Sequence, residues 1–130
     1  MNRILKIVAG LAFATAAAAQ AAPAENARGA AELGKRLEGL VAGTPTPCVD
    51  KNDIRSTSII DGTAIVFETA GRIYVNRPGA GAKLLRRSDT LVSNTQSPQL
   101  CKVDDVRLYQ DGFPIPIALG DFVPYARPAR

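Results

Sequence analysis

From residue 54 onward the apolar residues fall in short runs, separated by Gly, Pro and Asp. Residues 54–60 (Ile-Arg-Ser-Thr-Ser-Ile-Ile) lead into Asp61-Gly62, and residues 63–69 (Thr-Ala-Ile-Val-Phe-Glu-Thr) lead through Ala70-Gly71 into residues 72–76. Asp-Gly between two strand-like runs is a hairpin signal, so this stretch predicts a three-stranded meander. The expected turn is type I′, with positive φ at both Asp61 and Gly62 and with Ile60 facing Thr63 as the first pair. In that register neither face of residues 54–60 is cleanly apolar. That strand is expected at or near a sheet edge, with Ile65 and Phe67 of its partner supplying the core.

Residues 76–89 read as a loop opened by Pro78, Gly79 and Gly81, with Leu84 and Leu85 pinning it to the core. Strands are expected at 90–93 and 103–109, the second ended by Gln110-Asp111-Gly112. Residues 113–117 carry Pro114 and Pro116. Each proline removes a ladder donor, so this segment belongs at an edge or in a crossover. A last short strand falls within 118–125. The fold class is therefore mainly β: a small antiparallel sheet or partly closed barrel of about six strands.

One short helix precedes it. Leu33, Leu37, Leu40 and Val41 fall on one helical face between Gly29 and Val41. Asn26 is its expected cap, Gly29, Gly34 and Gly39 weaken it, and Pro45 and Pro47 follow its end. So short a stripe is expected to lie on the chain's own sheet, or to fray in solution, rather than to dock on a partner.

Composition sharpens the picture at three points. Aromatic residues make up 5% of the chain and Trp is absent, so aliphatic side chains must build the core. There is no His, which removes the commonest general base and the commonest metal ligand. The first residues read as an export leader: Arg3 and Lys6, an apolar run over 7–19, and the small residues of Ala19-Gln20-Ala21 before a cleavage site. The domain layout follows: 1–21 signal peptide, 22–46 mobile segment with the helix, 47–125 β-domain, 126–130 basic tail. Removing Arg3 and Lys6 with the leader lowers the net charge from +4 to +2, too little to argue for nucleic acid. The leader's apolar run is too short to span a bilayer. Export by the general secretory route into a periplasm is expected, with no membrane span left after cleavage.

Cys48 and Cys101 are the only cysteines, and in an oxidising compartment they read as a structural disulfide closing the β-domain. A redox pair is the other reading, but Cys-x-x-Cys spacing is absent. Asp50, Asp53, Asp104 and Asp105 flank the cysteines. They lack the spacing of a Ca²⁺ loop and read as strand-end polar residues. Lys83, Arg86 and Arg87 form a small cationic loop that meets an anion or a partner, or is simply solvated. Gly79-Ala-Gly81 lacks the Lys-Ser/Thr of a phosphate loop. Tyr74, Tyr109 and Tyr125 read as core-edge residues rather than stacking platforms. No catalytic motif and no cofactor motif is present.

Several pieces, taken in order, resemble a family of small exported Gram-negative bacterial proteins with no assigned function. They are Cys48, Ile54-Arg55-Ser56-Thr57 with Asp61-Gly62, Gly71-Arg-Ile-Tyr74-Val-Asn76, Leu100-Cys101-Lys-Val-Asp104, and Leu119-Gly120-Asp-Phe122-Val-Pro124. The resemblance implies four cysteines, of which this chain keeps the first and third. The second would fall near Gly81 and the fourth near Ile117, so the lost pair would be bonded to each other. It implies a fold and a compartment and no reaction.

The function expected is thus a non-enzymatic binding or structural role in the cell envelope. Its partner would be an envelope protein or an anionic envelope component. An interaction or inhibitor module acting through residues 78–89 is the alternative, and a hydrolytic enzyme comes third. Protein recovered from the periplasm should begin at Ala22 and weigh two hydrogens less than its reduced form. Intact-mass spectrometry showing the leader attached, or both thiols free, would refute this.

Overall fold

The computed structural model describes residues 24–129 together with Gly10. The leader assigned to residues 1–21 therefore lies, but for Gly10, outside the described residues, as does Arg130. Among the described residues one helix, α1 (Ala24–Arg36), precedes ten strands: β1 (Val41–Ala42), β2 (Cys48–Asp50), β3 (Ser56–Ile60), β4 (Ala64–Glu68), β5 (Ile73–Asn76), β6 (Thr90–Ser93), β7 (Gln99–Cys101), β8 (Val106–Gln110), β9 (Phe113–Ile117) and β10 (Phe122–Ala126). They form three antiparallel sheets, ordered β1-β10-β5-β4-β3, β2-β7 and β6-β8-β9. None closes into a barrel.

The mainly β class and the leading helix are as expected, and the strand count is higher. β1, β2 and β7 have two or three residues each. Runs that short are strands only because a distant segment pairs with them, so no local pattern announces them.

β4 explains the layering. Ala64, Ile65, Val66 and Phe67 are all buried, so both of its faces are covered. Ile65 and Phe67, with Ile59 of β3, face the larger core, which includes Leu100, Val106, Leu108, Ile117 and Phe122. The Phe67 and Phe122 rings meet at 5.6 Å, tilted by 60°. Ala64 and Val66, with Ile60 and Val75, face Leu33 of α1. The helix thus lies on its own sheet.

The first hairpin departs from the expected register by one residue. Ile60 faces Ala64 rather than Thr63, and of the turn residues only Gly62 has positive φ, at 59°. The reason is tertiary. Gly62 N–H donates to Leu85 O at 2.9 Å, and Asp61 Oδ1 accepts the Arg87 N–H at 2.6 Å. A type I′ pattern occurs instead at Asp111-Gly112, with φ of 51° and 85°, between Gln110 and its partner Phe113. The meander, the edge position of β3 and the burial of Ile65 and Phe67 agree with expectation. So does the edge position of β9, which carries Pro114 and Pro116.

The helix is displaced toward the N-terminus. It stops at Arg36, Asn26 lies within it, and Val41 belongs to β1 and is exposed. Gly29 is there for packing: a Cβ would overlap Thr63 and lie 2.8 Å from Asp61 O. A residue that weakens the isolated helix is what lets it approach the β3–β4 turn.

Asn76 is the one fully buried polar side chain of sheet β1-β10-β5-β4-β3. Its Nδ2 donates to Gly120 O at 2.8 Å and its Oδ1 accepts Gly120 N–H at 2.9 Å, as a peptide group in a ladder would. Gly120 has no room for a side chain, because a Cβ would lie 2.6 Å from Arg77 O. Asn76→Ala would leave both backbone groups unpaired, at about 1–3 kcal/mol for each buried orphan. Urea denaturation should show a loss in that range or above, and an unchanged midpoint would refute the role.

Candidate functional site

Cys48 and Cys101 are bonded, with their Cα atoms 4.0 Å apart, and are directly opposite each other in the β2–β7 ribbon. The closed loop spans 53 positions. On the chain-entropy model such a bridge contributes about 4 kcal/mol. It clamps Val49 and Leu100, both buried, into the larger core. The bond joins two strands of one ribbon.

The flanking carboxylates serve their own loops. Asp50 Oδ1 accepts Asn52 N–H at 2.9 Å, and Asp104 Oδ2 accepts Cys101 N–H at 2.7 Å. Hydrogen bonds from Asn94 Nδ2 and Arg107 Nη2 hold the Asp105 carboxyl below its usual range. Among the described residues, no group of three or more His, Cys, Asp or Glu side chains could hold a metal ion.

The cationic loop is docked rather than free. Gln110, buried on β8, donates from Nε2 to Leu84 O and to Asp89 Oδ2. Leu85 is buried as expected, whereas Leu84 is exposed. Arg87 pairs with Glu32 of α1 at 2.6 Å, and Arg86 lies 3.8 Å from Asp111. Lys83, Arg86 and Arg87 do line one open depression, joined there by Arg28, Glu32 and Asp61. Tyr74 and Tyr125 pack against the two cores, and Tyr109 is exposed.

A second open depression, partly apolar, lies elsewhere. β3 ends one sheet and β6 ends another, and an open groove of about 600 Å³ runs between these two edges. Thr57, Ser58 and Ile59 line it from β3, and Thr90, Leu91 and Ser93 line it from β6. Ile54 and Leu91, both half-buried, give it apolar wall. Arg36, Lys51 and Arg87 stand along it with, among the described residues, a single carboxylate, Asp89. Asp89 is engaged by Gln110 Nε2 and by Arg86 N–H at 3.2 Å. Glu32 lies against both arginines, 3.9 Å from Arg36. The surface keeps a positive excess even when Glu32 is counted.

Sequence reasoning placed Arg87 at a cationic site and missed the groove. A signal was present: Ser56-Thr57-Ser58 is an edge strand's sequence with neither Pro nor Lys to guard it. What could not be read was that β6, more than thirty residues on, faces it.

Compared with known protein families, curated proteins and solved structures, the chain shows no significant match.

Proposed function

We propose that this chain is an exported, periplasmic β-domain with a non-enzymatic binding role in the cell envelope. The groove between β3 and β6 is its binding surface. The observation that carries this reading is the groove itself, with unpartnered strand edges on both sides and a cationic rim, held on a body stapled by Cys48–Cys101. Concave surfaces with convergent polar groups are where ligands bind. A leader-like N-terminus, a disulfide and the absence of His are consistent with an exported binder rather than an acid–base catalyst. Among the described residues no helix is long and apolar enough to cross a membrane.

Kinship with the small exported four-cysteine proteins is part of this proposal, and two observations support it. The Gly71–Asn76 and Leu119–Pro124 pieces pair along β5–β10, with Tyr74 opposite Pro124 and Asn76 bonded to Gly120. A Cβ built at Gly81 would lie 3.7 Å from Ile117 Cβ, the separation of a disulfide's Cβ pair. The missing cysteines would fall near those two positions.

The alternative, an interaction or inhibitor module acting through residues 78–89, draws support from the anchoring of that loop. Gln110, Asp61 and Gly62 hold it in one shape, which presents Lys83 and Arg86 outward.

A photo-crosslinking side chain placed at Ser58, at Lys83 or at the exposed Thr44 separates these readings in cells exporting the protein. The groove predicts a discrete periplasmic adduct from Ser58 alone. An adduct from Lys83 alone would favour the loop, and equal labelling at Thr44 would refute both. For the kinship, the double variant Gly81→Cys/Ile117→Cys should lose two further hydrogens on export, even though Gly81 has a φ of 95° that Cys adopts with strain. Two free thiols in the folded variant would count against it.

A further inference from the structure

We infer that the occupant of the groove is an extended, acidic segment of polypeptide that pairs with β3 as a sixth strand of its sheet. The inference rests on the binding role proposed for the groove and specifies what is bound.

Among the described residues the two larger sheets offer four terminal strands, β1, β3, β6 and β9, and they are not equivalent. β1 has two residues. β9 is blunted by proline. The two-residue turn makes Gln110 and Phe113 a hydrogen-bonded pair, so Pro114 and Pro116 sit where an N–H would point off the sheet. Proline removes those donors, a standard protection of an edge. β3 has five residues and no such guard. Ile60 O accepts Thr63 N–H inside the hairpin, so alternation turns the N–H and C=O groups of Thr57 and Ile59 outward. Both residues line the groove. A guarded edge in one sheet and an open, walled edge in another is the arrangement expected of strand addition.

The surroundings select among occupants. Side chains of an added strand would alternate between the wall at Ile54 and Leu91 and the rim at Arg36, Lys51 and Arg87. That pattern fits apolar residues alternating with Asp or Glu. A second copy of this chain fits poorly, because pairing two β3 edges would bring the two cationic rims together. A sugar fits poorly too, because among the described residues the only aromatic ring in the wall, Phe67, is 1% exposed and gives no stacking face.

The test uses the mature, oxidised protein and a displayed library of random linear dodecapeptides. Selection should enrich alternating apolar and acidic residues. On saturation with a synthetic binder, the Thr57 and Ile59 amides should gain protection from hydrogen exchange. Exchanging the binder's acidic residues for amides should weaken it by about tenfold or more, the scale of one charged contact. N-methylation of alternate peptide amides should do the same. Both changes are made on the peptide, so the protein's stability is not in question. Lys51→Glu, whose side chain bonds Thr95 O and no carboxylate, should weaken the acidic binder and spare its amide form.

No enrichment, a basic or charge-indifferent consensus, or unchanged exchange at Thr57 and Ile59 would overturn the inference. If Ser58 still crosslinks a periplasmic component in that case, the groove reading stands and strand addition alone has failed.

Discussion

Burial of β4 on both faces is the constraint from which the rest of the fold follows. A strand with Ala64, Ile65, Val66 and Phe67 all out of water needs a layer on each side. The larger core supplies one, with side chains from β2, β7, β8, β9 and β10. The helix and the turn that follows it supply the other with little more than Leu33 and Leu37. So few apolar residues cover a sheet only if the backbones approach closely, and Gly29 against Thr63 permits that approach. The β3–β4 turn is therefore a structural junction as well as a hairpin end.

Polar groups inside this frame act as ties between segments distant in sequence. Asn76 joins β5 to the chain entering β10, and Gln110 joins β8 to the loop at residues 82–89. That loop in turn holds the first turn through Leu85 O and Asp61, and holds α1 through Arg87 and Glu32. A buried side-chain amide of this kind specifies one arrangement, since any other leaves it unpaired. The groove inherits the result. Arg87 and Asp89 stand in its wall, so the network that shapes the loop also sets the groove's charge.

The outer edges of the sheets show how the same protein treats exposed backbone in different ways. β9 is protected by two prolines and β1 by brevity, while β3 runs open along a cationic, partly apolar channel. Protection is local chemistry. Openness acquires meaning only from what stands across the channel, which here is β6.

Much of the architecture was legible from local pattern. Prolines at 114 and 116 put residues 113–117 at an edge, the glycine-separated runs between 54 and 76 made a meander, and a lone cysteine pair made a bridge. Each rests on a backbone rule or a covalent possibility that acts within a few residues. The turn at Asp61-Gly62 was not legible, because Leu85 O and the Arg87 N–H, supplied from more than twenty residues away, decide its shape and slip the pairing by one. The helix boundary moved for a similar reason: Leu40 and Val41 match a helical stripe, but β10 claims Val41 as a strand partner. Neither the short strands β1, β2 and β7 nor the groove exists in any local window. By itself the sequence determined the class, the staple and the proline guard on residues 113–117, because propensity, proline and cysteine act locally. The tertiary structure alone decided register, the pairing of Arg87 with Glu32 and the meeting of β3 with β6, because those depend on contacts between segments that only packing brings together.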